Sequence, residues 1–421
     1  MTERARISRN SFERLVSGLR IILAISFLMA LPSGVMAAEP SDSGGVASRD
    51  RIIPPPLKDL GRSYKVRLVY FVPSDCEVKP KFREKTEMLM RVVADIYRRE
   101  MKANNQISRG LDFEFHKNEK LKVHLVKGRN PAVFYRGKPP SVDRLFRSQQ
   151  QEIMEATGFI RNRAVLVFSE AGGIAEAAPI PQFHSGFAVV SGDIFRDETT
   201  AATIEEQIRK LTDATPLKKK DGDKKPELRN KVPQVSNGVL IHELGHIFGM
   251  LHDSSNRANI MYYGYHQLGK MYDRKTAKER PVRFSLAHAR MAAATRFLSE
   301  DFDEADRKPP VIHEFKLART PKAGDKTVDF VVKISDDHGI RALVILQRGG
   351  EWIDAKVGDG DLKGKKLFDK TVTLKCPRPL GKSQPVRYII NVIDVNGNLG
   401  QKTVDSKVLP KLPIVHGRHC H

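Results

Sequence analysis

Val239-Leu240-Ile241-His242-Glu243-Leu244-Gly245-His246-Ile247-Phe248-Gly249-Met250-Leu251-His252-Asp253 is the stretch that orders the rest of this 421-residue chain. Two histidines four residues apart lie on one side of a helix, so His242 and His246 can offer two imidazole nitrogens to one Zn2+ at about 2.0–2.1 Å each. Glu243 sits beside them, placed to hold a water rather than the metal. Gly249 can end the helix in a left-handed turn at no side-chain cost, which lets the chain reverse and bring His252 in as a third ligand. Three nitrogens leave a tetrahedral ion one open position. That is the mark of catalytic zinc, because structural sites are closed by four protein ligands. The plainer alternative is a buried amphipathic helix whose histidines only hydrogen-bond.

Beyond His252 comes Ile260-Met261-Tyr262-Tyr263-Gly264-Tyr265. With this segment the chain resembles the metzincin clan of zinc endopeptidases, whose pattern is HExxHxxGxxH followed by a Met-containing turn. Every fixed position of the helix motif matches. The resemblance implies zinc held by His242, His246 and His252, Glu243 as general base, and Met261 as the apolar floor below the metal, with Gly249 and Asp253 in support. Asp253 is similar to the Asp that follows the third His in the adamalysin group, although the disulfide cysteines of that group are missing. The short interval from His252 to Met261 looks more like the matrix metalloproteases. Tyr263, two residues after the Met, sits where astacins and serralysins place a zinc-proximal Tyr. It is the candidate ligand or oxyanion stabiliser, with Tyr262 and Tyr265 competing and simple packing as the alternative. The subfamily stays open.

The clan also implies a fold. An α/β (α+β) catalytic domain, spanning 63–300, would carry a mixed sheet with the active-site helix crossing beneath it and the metal facing a cleft. Peptide-bond hydrolysis is the implied reaction, and protein or peptide the implied substrate. An edge strand pairs with extended substrate in such enzymes, and Gly186–Ser191 is the candidate here. Periodicity supports the layering. Val66, Leu68, Tyr70 and Val72 alternate along a strand at Lys65–Val72, and Phe82, Leu89, Val93 and Ile96 mark one face of a helix over Pro80–Ala103. Further strands fit Leu111–His116, Leu121–Val126 and Ala164–Ser169, with a helix near Val142–Ala156. Ser285–Leu298, with Leu286, Ala289, Ala293 and Phe297 at helical spacing, fits a closing helix. The charged run Lys218–Lys225 reads as a solvated loop.

An acidic linker, 301–310, ends in Pro309-Pro310. Beyond it, short β patterns at Val311–Leu317, Val328–Ile334, Ala342–Gln347, Trp352–Val357, Lys370–Lys375 and Val386–Ile393 predict an all-β sandwich over 311–410, with a tail at 411–421. Tyr388–Val404 resembles the closing hairpin of bacterial immunoglobulin-like or fibronectin type III-like modules. Such modules act as spacers, adhesion units or substrate-presenting domains.

At the amino terminus Arg4, Arg6, Arg9, Arg14 and Arg20 precede the apolar run Ile21–Leu31 and the small-residue pattern Val35-x-Ala37. This predicts a signal peptide over 1–37 and a short lead segment over 38–62, because the run is about half the ~20 residues needed to span a bilayer. An uncleaved anchor is the alternative. No other stretch approaches that length, so the expected product has no transmembrane span and is exported, to an extracellular, periplasmic or cell-envelope location.

The charge then narrows. The chain holds 72 Lys+Arg against 50 Asp+Glu, a net +22, and removal of residues 1–37 leaves +19. Residues 301–421 hold 22 basic and 16 acidic residues, so most of the excess lies in the proposed catalytic domain. With no nucleic-acid motif, the charge points to an acidic protein or an anionic surface rather than to nucleic acid. The three cysteines exclude a disulfide framework: Cys76, Cys376 and Cys420 leave at least one thiol unpaired. Cys76 follows the first strand too closely to belong to a zinc-blocking pro-domain. A structural Ca2+ is not resolvable from sequence. A second class of function stays open, a catalytically silent zinc protein whose β module binds an acidic surface polymer or protein. The intact Glu243 favours the enzyme.

Overall fold

A computed structural model describes residues 51–410 apart from 138–141, 173–174, 196–202, 213–236, 254, 349–352, 357–361, 363, 376–379 and 381–384. The signal peptide expected at 1–37, the expected lead segment before residue 51, the run Lys218–Lys225, Cys376, Cys420 and the tail at 411–421 lie outside the described residues. Among the described residues no helix is long and apolar enough to cross a membrane.

The first half of the chain is a mixed α/β unit. Its strands are β1 (Lys65–Val72), β2 (Val123–Lys127), β3 (Arg163–Ser169), β4 (Ala175–Ile180) and β5 (Ser185–Ser191), in the order β2-β1-β3-β5-β4. All neighbours run parallel except β4, which is antiparallel to β5. Parallel strands covered on both faces need apolar side chains on both, and β1, β3 and β5 are buried almost throughout. Val66, Leu68, Tyr70 and Val72 face one core with α1 (Phe82–Ala103), whereas Val69 and Phe71 face another with α2 (Val142–Thr157). The four residues read as the inner face of α1 are all buried.

The edge strand differs from the sequence expectation. Gly186–Ser191 falls in β5, which is flanked by β3 and β4; among the described residues the edge strand on that side is β4. The segment Ala175-Glu176-Ala177-Ala178-Pro179-Ile180 carries little hydrophobic signal, yet its burial alternates along the strand. Pro179 lacks a ladder donor and is tolerated only where no further strand follows. Leu111–His116 is likewise not a full strand. It meets β1 through a Val66–Phe113 bridge and then folds back at Phe115–Leu121, because Glu119 takes a left-handed conformation that turns the chain. A helix over Ile204–Thr212 had no counterpart in the sequence reading.

Residues 311–407 form an antiparallel β unit: β6 (Val311–Leu317), β7 (Thr327–Arg348), β8 (Ile353–Lys356), β9 (Lys365–Lys375), β10 (Pro385–Asp394) and β11 (Leu399–Lys407). Two strands expected at Val328–Ile334 and Ala342–Gln347 are one continuous strand. The first part of β7 pairs β6 and β9, and the part from Ile340 pairs β8 and β10. Apolar residues from both parts, including Phe330, Val332, Leu343 and Ile345, join Tyr388, Ile390 and Val392 of β10 in one core.

The linker is anchored rather than free. Arg296, 2% exposed, donates from Nε to the Asn396 carbonyl at 2.8 Å, from Nη2 to the Asp303 and Asp306 carbonyls, and from Nη1 to the Tyr64 hydroxyl at 3.0 Å. Beside it Ala287, Met291 and Ala294 of α5 (Leu286–Ala294) pack on Ala342, Val344 and Ile393 of the β unit.

Candidate metal centre

Helix α4 (Val239–Ile247) is buried along nearly its whole length, so apolar residues occupy every face of it. Leu240, Ile241 and Leu244 are fully buried, each worth about 1.5–3 kcal/mol. That is enough to carry a helix that also buries His242 and Glu243, whose desolvation opposes folding. The helix closes in a Schellman motif. Gly249 N–H donates to the His246 carbonyl and Met250 N–H to the Gly245 carbonyl, each at 3.0 Å, with Gly249 at φ 82°. The reversed chain then carries His252 back over the helix.

His242, His246 and His252 converge, with ligand atoms within 4.8 Å of one another. His246 Nε2 and His252 Nε2 lie 3.1 and 3.2 Å from His242 Nε2. A carbonyl can only accept, so the contacts of His242 Nδ1 with the Ile260 carbonyl (2.8 Å) and His246 Nδ1 with the Met250 carbonyl (2.9 Å) place the proton on Nδ1. Both Nε2 lone pairs therefore point inward at each other. A tetrahedral ion at about 2.0–2.1 Å from each nitrogen would separate its ligands by about 3.3 Å, close to the spacing found. The donor set fits Zn2+. Burial, followed by the charge of His246, holds His242 down to about 3, so it is neutral at working pH, as a ligand must be.

Glu243 is 4% exposed and its Oε2 has no hydrogen-bond partner among the described residues. Burial first, then the charge of Glu176, pushes its carboxyl well above the ordinary range. A dication held by the three histidines would reverse that preference and favour the carboxylate. Glu176, 4% exposed on β4, is a site neighbour the sequence reading missed. Its only signal was an acid in an alanine-rich stretch.

Met261 is fully buried, and its position depends on Gly245: a Cβ there would stand 2.5 Å from Met261 Sδ. Asp253, also fully buried, ties three segments together. Its N–H donates to the Met261 carbonyl at 3.0 Å, its Oδ1 accepts from Ser255 N and Oγ, and its Oδ2 lies 3.5 Å from His288 Nδ1 on α5. Among the tyrosines, Tyr265 is the one whose ring stands against His242, at 5.1 Å between centroids. Tyr263 is 37% exposed; it meets Tyr262 edge-on and His266 at a tilt, with the Arg257 guanidinium over its ring. Cys76 lies beside the Glu170 carbonyl, its thiol pushed up by burial.

No protein-family model matches the chain, and no curated protein is similar to it. Among solved structures, catalytically inactive OgpA from Akkermansia muciniphila, in complex with an O-glycopeptide (glycodrosocin) substrate, matches with a TM-score of 0.51 at 15% identity, over 85% of this chain and 95% of that one. Wild-type OgpA in two crystal forms gives a TM-score of 0.49 at 16% identity, over 85% of this chain and 96% or 94% of the other. At such identity the likeness is one of fold, and it extends over 85% of the chain.

Proposed function

We propose that this chain is an exported, metzincin-type zinc endopeptidase with a C-terminal immunoglobulin-like module. The observation that carries the reading is the convergence of three histidine Nε2 atoms beside a buried carboxylate whose Oε2 has no hydrogen-bond partner among the described residues. The likeness in fold to a protein crystallised with a peptide-based substrate supports it.

When bound, Zn2+ supplies a Lewis acid that polarises a carbonyl and draws the pKa of a water toward ~7. The rest belongs to the protein. The Ile260 and Met250 carbonyls fix the imidazoles of His242 and His246, Met261 closes the site from below, and Asp253 holds the His252 loop to the Met turn. Glu243 takes the proton of the attacking water at Oε2 and delivers it to the leaving amine nitrogen. The outer edge of β4, the last strand of the sheet among the described residues, offers backbone N–H and C=O groups to an extended peptide. The net positive charge favours substrates or surfaces that are acidic.

A digest of a peptide library, with O-glycosylated members included, tests the reading by mass spectrometry. Expected is cleavage that a chelator abolishes and added Zn2+ restores. Cleavage indifferent to the chelator, or no cleavage of any member, would contradict it.

A further inference from the structure

The β unit reaches the segment that leaves α4 with a buried, hydrogen-bonding side chain. Asn391 lies in β10 among Ile389, Ile390, Val392 and Ile393 and is 2% exposed. A buried carboxamide in such a strand is costly unless it is hydrogen-bonded. Its partners are specific. Gln401 Nε2 donates to Asn391 Oδ1 at 2.7 Å, which orients the amide, and Asn391 Nδ2 donates to the Gly249 carbonyl at 2.8 Å.

Resting on the metal-centre reading above, we propose that Asn391 is a positioning residue for that centre, and that the β unit completes the site instead of serving as a spacer. Gly249 is the left-handed residue at which the chain leaves α4, and three residues later the chain supplies His252. Leu399 of the β unit packs so closely on Gly249 that a Cβ there would lie 2.9 Å from its Cδ1. Leu251 packs against the junction cluster that contains Val344 and Ile393. The β unit thus grips residues 249 and 251, while the intervening Met250 carbonyl accepts from His246 Nδ1 and His252 joins the histidine trio. A shift of this four-residue segment would move one ligand and the orienting partner of another.

The test uses the full chain with Asn391→Leu, which removes the donor at similar size, and Ile390→Ala, which weakens the same strand from its other face, where Ile390 lies in the β core. Zinc affinity by chelator competition, kcat and KM on a cleaved peptide, and Tm are measured together. Asn391→Leu is expected to weaken zinc binding by about 10-fold, the low end of the loss seen when a ligand's own hydrogen-bond partner is removed, because Asn391 holds the segment that carries the ligand and touches no ligand itself, and to lower kcat with KM little changed. Ile390→Ala should lower Tm but keep wild-type zinc affinity and kcat. Equal zinc affinity in Asn391→Leu and wild type, or an equal loss in Ile390→Ala, overturns the proposal. Should Asn391→Leu not fold, Gln401→Leu decides: weaker zinc binding than wild type is expected, and unchanged binding overturns. A wild-type chain that takes up no zinc would sink the metal-centre reading itself, and this inference with it.

Discussion

Glu243→Gln is expected to keep its zinc and lose about 10²–10⁴-fold in kcat, the range that positioned acid–base catalysis supplies. The substitution preserves shape and removes only the capacity to take a proton. The carboxylate Oε2 makes no hydrogen bond among the described residues, so an amide in its place breaks none there. The three nitrogens that would hold the metal come from His242, His246 and His252. Zinc content by elemental analysis and turnover on a cleaved peptide check the two halves separately. Wild-type turnover would remove Glu243 as the base, and lost zinc would make it a ligand.

His252→Ala is expected to leave the chain short of stoichiometric zinc after dialysis. Two imidazoles from α4 would remain, and the ion would lose one of only three protein ligands, so the loss should exceed the about 10–100-fold typical of outer-shell changes. The fold should survive, because His252 lies in the loop after the helix and is only half-buried. Elemental analysis of dialysed variant beside wild type is the check, and unchanged stoichiometry removes His252 from the site.

The parts of this molecule that were legible in the sequence are those fixed by local spacing. The period of four that puts His242 above His246, the glycine at 249, and the two-residue alternation of β1 follow from the geometry of one helix, one turn and one strand. What escaped depends on contacts distant in sequence. Strand β4 is held by pairing with β5 across a short turn, and its alanines carry almost no periodic signal. Spacing from Met261 singles out Tyr263, and it carries no sign that Tyr265, one residue past the turn at Gly264, is the tyrosine that packs on His242. Strand β7 runs through the corner at Asp336–Gly339, where Asp336 Oδ1 accepts from His338 N and Gly339 N. The anchoring of the acidic linker escapes its own composition because Arg296, which binds the Asp303 and Asp306 carbonyls, lies outside it. Asn391 read as one polar residue in an apolar strand, and only its distance to Gly249 gives it a role.

The central claim is that the three histidines form an open, catalytic zinc site, and anomalous diffraction at the zinc edge from crystals of the full chain tests it most directly. Expected is one peak about 2.0–2.1 Å from Nε2 of His242, His246 and His252, with no protein atom in the fourth position. A peak closed by a fourth protein ligand, or no zinc at the three histidines, would contradict it.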